Sequence, residues 1–325
     1  MQIAAILSLL ETSPADEFTS SAVAPSVTSG CIAKIDILGE SLLDRVLSQL
    51  ERLGAAGHSI ISKDTPNQLF PSRTAAPDSF VTAWEQAVAG YVNQGVDALL
   101  LMRVGTYTDL DYAQLLEFHT RTSSAVTQAY AADGALDVAL VSASALHNAD
   151  GAYWRVLSGL LSQKRKFMYR GYVNRLASPQ DFYTLVDDGL RGRCALKPVG
   201  SETREWVWQA AGSEIDDSTV VSGPAFIGEG AHIGAGCTIG SGTSVERDCQ
   251  VDCGTTVEQS WVMERTYLGI ALDVRRSIVN SGKLFHLDRN LEIEIGDRQL
   301  IGEATTRATW FSGLGSMILG RQVSG

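Results

Sequence analysis

From Ile215 onward an aliphatic residue returns at every sixth position: Ile215, Val221, Ile227, Ile233, Ile239, Val245, Val251, Val257 and Met263. Four places after nearly all of these stands a mostly small residue: Thr219, Ala225, Ala231, Cys237, Thr243, Cys249 and Thr255. Unbroken matches at one period identify the hexapeptide repeat of a β-solenoid. Each unit of strand length points its aliphatic residue into a prism, and the small residue lies where the chain turns against its neighbour. Three hexads close one triangular coil, so nine predict about three coils. Ile270, Val274 and Ile278 suggest a less regular continuation. Stacked coils have open ends that need capping. The amino-terminal half can cap one end, and Ala304–Arg321, with Trp310, Phe311, Leu314, Met317 and Ile318, caps the other or mediates oligomer contacts. Gly234, Gly236, Gly240 and Gly242 recur at solenoid turns and do not lead from a strand into a helix, so they are not read as a phosphate loop.

The first half has a different pattern. Met1–Leu10 is an apolar run of strand length. Ser41–Gly54 is an amphipathic helix with Leu42, Leu43, Val46, Leu47, Leu50 and Leu53 on one face and Gly54 as its stop. Strands follow at Ser59–Ile61, Asp97–Val104, Ala125–Ala131, Asp137–Ala143 and Lys166–Tyr172. Helices are predicted at Ser79–Asn93, from Asp109 as N-cap to about His119, at Trp154–Gln163, and from Ser178-Pro179 onward. Strands alternating with helices imply a mostly parallel sheet covered on both faces, with ligands at the carboxyl ends of its strands. That directs attention to Leu10–Gly30 and Gly105–Asp109. A chain of 325 residues accommodates two domains, divided here as 1–200 and 201–325. The net charge of −11 argues against nucleic-acid binding. The longest apolar stretches are under ten residues, too short to span a membrane, and the amino terminus lacks the basic region of a signal peptide. Five cysteines with no CxxC pair are read as free thiols of a cytoplasmic protein.

Three segments carry a family resemblance. Ile35–Leu47 (IDILGESLLDRVL) is similar to the segment in sugar-phosphate nucleotidyltransferases that runs from a substrate-side lysine into the first long helix. Thr108–His119 (TDLDYAQLLEFH) is similar to their TDLDL…LL.FH stretch, and Gly171–Tyr183 (GYVNRLASPQDFY) to GYWxDIGTPEDY. With the repeat, the chain resembles this family, especially its mannose-1-phosphate guanylyltransferase-like branch. The resemblance implies an α/β, Rossmann-like nucleotidyltransferase domain followed by a left-handed parallel β-helix. It also implies Mg²⁺ held by carboxylates, and a glycine-rich loop with a basic residue for the triphosphate, because the two reacting anions repel.

The chain departs from the family where that chemistry is carried. The loop position, Leu10–Gly30, has no arginine or lysine and three early acids. The family lysine aligns with Ile32, with Lys34 nearby. One metal aspartate falls at Gly105, or at Thr106 with one gap, and the other at Arg175; Lys63–Ser79 lacks the GTAxA sequence. No catalytic or metal-binding residue is therefore assigned, and no cofactor is expected, Mg²⁺ entering only if the protein is active. Lys34 and Arg175 are the ligand-binding candidates for a nucleotide sugar or sugar phosphate, with Arg175 alternatively paired to a nearby carboxylate.

Three functions follow. The first is a non-catalytic regulatory or scaffold subunit of nucleotide-sugar or exopolysaccharide metabolism, forming homo-oligomers or associating with a catalytic paralogue. The second is an active pyrophosphorylase with a rearranged site that uses Lys34 and carboxylates such as Asp109. The third is a hexapeptide acyltransferase with His232 or His286 as base. Simpler accounts exist for the individual residues. His232 faces outward, His119 suits a helix carboxyl end, and Asp109 is a cap, so neither it nor Asp111 need bind metal. Lys164, Arg165, Lys166 and Arg170 form a solvated edge or meet an acidic subunit. Trp206 and Trp208 seal a domain junction or stack on carbohydrate.

Overall fold

The computed structural model describes residues 1–9, 11–12, 30–70, 76–149 and 151–304. Most of the Leu10–Gly30 loop and the apolar segment 305–321 thus lie outside the described residues. The chain divides into two compact units. In described residues the first is 1–9, 11–12, 30–35 and 40–177, and the second is 36–39 with 178–304.

The first unit is a mixed α/β layer structure with a Rossmann-like sheet. Its strands are β1 (Ile3–Leu9), β2 (Gly57–Ile61), β3 (Ala98–Val104), β4 (Val126–Ala131), β5 (Gly134–Ser142) and β6 (Arg165–Met168), in the order β6-β4-β5-β3-β1-β2. β1 runs parallel to both β2 and β3, and β6 runs parallel to β4. β5 is antiparallel to both neighbours, because β4 and β5 form a hairpin. A two-residue connection permits only that pairing. The buried centre explains why β1 and β3 read as nearly continuous apolar runs rather than alternating ones.

Helices α2 (Asp78–Asn93) and α4 (Tyr153–Leu160) cover one face, where Phe80, Trp84, Val88, Trp154 and Leu157 pack on Ile6, Leu99, Leu101 and Val126. Helix α1 (Leu42–Leu53) is capped by Ser41, whose Oγ accepts from the Asp44 amide, and is stopped by Gly54 at φ 74°. Helix α3 (Tyr112–Arg121) packs on the side of β4 carrying Thr127, opposite Val126. Its cap is Asp111, accepting from the Ala113 amide at 2.9 Å, and not Asp109 as the sequence suggests. The first turn starts two residues late because Tyr107–Thr108 first forms a short antiparallel pair with Val173–Asn174.

The second unit stacks short strands into three sheets, compatible with a β-helix. Parallel strands at Val207–Gln209, Ala225–Ile227, Thr243–Val245, Trp261–Val262 and Ser277–Asn280 form one wall; antiparallel strands at Ser201–Arg204, Lys283–His286 and Leu291–Glu294 extend its ends. Glu214–Ile215, His232–Ile233, Gln250–Val251 and Thr266–Leu268 form the second, closed by antiparallel Ile301–Glu303. Val220–Val221, Thr238–Ile239, Thr256–Glu258 and Asp273–Arg275 form the third. Inward aliphatic residues from all three walls share one core, and the small residues Ala225, Ala231, Cys237, Thr243, Cys249 and Thr255 are buried at the corners.

The repeat register slips twice, between Val257 and Val262 and again between Val274 and Val279, each step five residues instead of six. Ala225 pairs with Thr243, eighteen residues on, but Ser244 pairs with Trp261, only seventeen on. Val262, not Met263, is therefore the inward residue, followed by Leu268, Val274 and Val279 in place of Ile270 and Ile278. Ile270 is 66% exposed. The two shortened corners pass through Gln259 at φ 47° and Arg276 at φ 46°. Inward triads 215/221/227, 233/239/245, 251/257/262 and 268/274/279 make four coils, the last being the less regular continuation, in which Val274 is inward as expected. Helix α5 (Pro179–Leu190) belongs to this unit and begins with a full capping box between Ser178 and Asp181. Phe182 stacks on Trp261 at 6.1 Å, and the Tyr183 hydroxyl donates to the Gly242 carbonyl at 2.9 Å.

Candidate functional site

In the first unit, polar side chains gather beyond the carboxyl end of β3. The strand is apolar apart from Arg103, which forms an ion pair with Asp137 of β5. Past Val104 the chain turns through Gly105 and Thr106 into the short pair with Val173–Asn174. The Asp109 amide donates to the Tyr172 carbonyl at 3.3 Å, and the Tyr107 hydroxyl donates to Asp109 Oδ1 at 2.9 Å. Tyr107 and Tyr172 meet edge to face at 6.0 Å. A small pocket of about 40 Å³ is lined by Arg103, Thr106, Tyr107, Asp137, Arg45 and Gln49, among others.

Arg175 is fully engaged. Its Nε and Nη2 donate to the two oxygens of Asp133 at 3.0 and 2.8 Å, and Nη1 donates to the Ala135 carbonyl at 2.9 Å. The planar guanidinium matches both the carboxylate and the hairpin backbone. Its hydrogen bonds hold the Asp133 carboxyl below the usual range, and Asp133 in turn raises Arg175. The carboxylate partner considered as the simpler account of Arg175 is thus present. Lys34 ends a 3₁₀ turn, Ile32–Lys34, is exposed, and has no partner among the described residues. No contact joins Lys34 to Arg175. The sequence did not single out the Arg103–Asp137 and Asp133–Arg175 pairs. The signal was the lone charge in ALLLMRV, since a cation in a buried strand needs a partner.

The histidines separate clearly. His119 is 3% exposed, with Nδ1 2.7 Å from Thr127 Oγ1 and Nε2 3.0 Å from Ser142 Oγ. Ser142 gives its own hydroxyl proton to the Ser124 carbonyl. Nε2 therefore carries the hydrogen and Nδ1 accepts from Thr127. Burial lowers the His119 pKa, so it is a neutral core group and not a charge complementing the helix dipole. His232 points out of the solenoid as expected, with Nδ1 3.4 Å from Glu214 Oε2. His286 lies on the terminal hairpin, its Nδ1 buried without a hydrogen-bond partner among the described residues. Trp206 occupies a hairpin turn at φ 61° and is 47% exposed, while Trp208 is half-buried. All five cysteines are free thiols, and no described helix is long and apolar enough to cross a membrane.

One buried carboxylate in the second unit has no counterpart in the sequence reading. Glu246 accepts from the amides of Leu38 and Gly39 at 2.9 and 2.8 Å, from Ser244 Oγ at 2.7 Å and from Trp261 Nε1 at 3.0 Å. It fastens the segment 36–39 to the solenoid wall, assisted by Arg247, whose Nε is 2.8 Å from Asp36 Oδ2. Gly39, at φ 89°, is required there, because a Cβ would come within 2.8 Å of the Phe226 ring. Burial outweighs the four donors and pushes the Glu246 pKa up to about 7.

Among known proteins, no family model matches the chain and no curated protein matches it.

Proposed function

We propose that the chain is a sugar-nucleotidyltransferase-like protein: a Rossmann-like nucleotidyltransferase domain followed by a left-handed parallel β-helix. On this reading it has lost nucleotidyl transfer and binds a nucleotide sugar or sugar phosphate without metal, as a regulatory or scaffold subunit of nucleotide-sugar or exopolysaccharide metabolism. The observation that carries the reading is Arg175. Where the resemblance places a metal-binding aspartate, the chain has a guanidinium bound through two of its three nitrogens to Asp133. The other metal position holds Gly105 or the hydroxyl of Thr106. These groups do not fit Mg²⁺, which takes carboxylate and water oxygens, so no step is assigned to it. Lys34, whose ammonium has no partner among the described residues, is a cation available to a phosphate. A homo-oligomer or a catalytic paralogue is the partner this role calls for.

The test is calorimetric and thermal-shift binding of GDP-mannose, GTP, UDP-glucose and dTDP-glucose, each with Mg²⁺ and with EDTA. Binding that survives EDTA, without turnover of a sugar phosphate and a nucleoside triphosphate, is expected. Mg²⁺-dependent pyrophosphate release that disappears in Asp109→Ala and Lys34→Ala would establish the active enzyme instead. Acyl-CoA consumption lost in His232→Ala or His286→Ala would establish the acyltransferase.

A further inference from the structure

We propose that the basic edge strand β6 of one copy of this chain pairs with the acidic edge Glu214–Asp217 of a second copy. β6 is the last strand of its sheet, and its Tyr169 side hydrogen-bonds to Tyr130 of β4 at 2.7 Å. Backbone direction alternates along a strand, so the amides of Lys166 and Met168 point off the sheet. Lys164, Arg165, Lys166 and Arg170 surround this edge, and none has a carboxylate partner among the described residues. Lys164 and Lys166 instead lie 5.7 and 4.9 Å from the centre of the Tyr130 ring. Met168, on the same face, is 58% exposed. Four cations without a carboxylate partner among the described residues are a local exception in a chain of net charge −11.

The complementary edge is the first strand of the five-stranded wall. The Glu214 and Asp216 amides bond inward, to Ala231 and Ile233 carbonyls at 2.8 and 3.0 Å. The Ile215 amide and carbonyl therefore face away from the stack. Beside them a polar groove of about 440 Å³ is lined by Glu214, Asp216, Asp217, Thr203 and Gln209, with Arg204 as its cation. Strand addition would satisfy the outward amides of both edges and bring lysine side chains to this groove. The lattice of charge at a sheet edge also deters indiscriminate pairing. Here the two edges carry opposite signs, so they select each other while like edges repel. Two such short strands bury little area, placing the contact among weak associations.

Salt titration is a poor test, because screening also relieves the overall repulsion between two acidic copies. Charge exchange is decisive. Sedimentation velocity of the full chain at about 100 µM, a concentration suited to a weak contact, should show self-association. Arg165→Glu/Lys166→Glu and Glu214→Lys/Asp217→Lys should each weaken it about tenfold, the scale of losing a few interfacial charge contacts. An equimolar mixture should recover the wild-type behaviour, because each variant keeps one native edge complementary to the other's. Lys164 and Asp216 are spared, since they bond Gln128 and Ser218, and circular dichroism checks that both variants fold. A wild-type monomer throughout, unchanged association in either variant, or no recovery on mixing would overturn the proposal. Loss in the first variant alone would do so too, because the partner of the basic edge would then be a different acidic surface of the chain. The readout needs no nucleotide sugar, so it stands apart from the functional reading.

Discussion

Replacing Glu246 by glutamine removes one charge and one acceptor from a shell of four donors. The amide oxygen can take the place of Oε1, which serves Leu38, Ser244 and Trp261. The amide nitrogen must then face the Gly39 N–H, donor against donor. One buried amide left unsatisfied costs about 1–3 kcal/mol. A second contribution runs the other way. The folded state raises the Glu246 pKa from 4.5 to about 7. Between those values the folded chain binds the extra proton, so wild-type stability is greatest below about pH 4.5 and falls as pH rises towards 7. The shift corresponds to roughly 3 kcal/mol. Glutamine has no such dependence. At pH 5 the folded wild type is itself protonated, but its hydroxyl oxygen can still accept from the Gly39 amide, which the glutamine NH2 cannot. The variant should therefore be less stable there by at most about 1–3 kcal/mol, and the deficit should close as wild type alone weakens towards pH 8. Calorimetric scans following the second unit's transition, with hydrogen exchange at Leu38 and Gly39, measure both parts. A wild type that gains stability from pH 5 to 8 while the variant stays flat would show that the four donors outweigh burial. An equal deficit at both pH values would show that Glu246 does not titrate in this window.

The first unit should respond to acid with the opposite sign. Burial lowers the His119 pKa below 6.5, so the unfolded chain takes the proton first and stability is lost as pH falls below about 6.5. The corresponding calorimetric transition should move down between pH 7 and 5, and this slope should vanish in His119→Gln. In the solenoid, Ile239→Ala removes a fully buried inward residue and should cost about 2–5 kcal/mol in denaturant unfolding. His232→Ala, outward and half-exposed, should change stability by under about 0.5 kcal/mol. For ligand binding, Lys34→Ala should weaken EDTA-resistant association with a nucleotide sugar about tenfold, as loss of one charge-assisted hydrogen bond does. Arg175→Met should weaken it less, because that guanidinium is already bound to Asp133; calorimetric titration of both variants decides between them.

What could be read from the sequence follows from how regular the physics is at each place. A period of six identifies the inward residues from Ile215 to Val257 because each coil repeats the same corner and the same wall. The pattern misleads at Trp261-Val262-Met263, where three large apolar residues in succession let a count of six step over a one-residue shortening. The corner residues held the correction. After Thr255, the buried small residues are Ser260, Thr266 and Ser277, and the step from 255 to 260 is already five. Trp261 and Ile278 are then outward residues, and Trp261 is buried because Phe182 of α5 lies over it. Local patterns do not contain that covering helix. The same limit hid the clamp at Glu246, whose donors come from residues 38, 39, 244 and 261. Two of these lie more than two hundred positions away in the chain.

At the candidate site the sequence identified the unusual residue, Arg175, but not its partner. Asp133 sits at the hairpin between β4 and β5, where a turn-forming aspartate needs no further account, so nothing in its neighbourhood marks it as a counter-ion. The three-dimensional pairing changes what Arg175 can do. A guanidinium already donating to two carboxylate oxygens and one carbonyl must surrender charge-assisted bonds before it can bind a phosphate. Lys34 has none to surrender among the described residues. If the chain does hold a nucleotide sugar, selectivity for the anion therefore falls first on Lys34, and Arg175 serves mainly to keep Asp133 neutralised and the β4–β5 hairpin tied to Val173–Asn174.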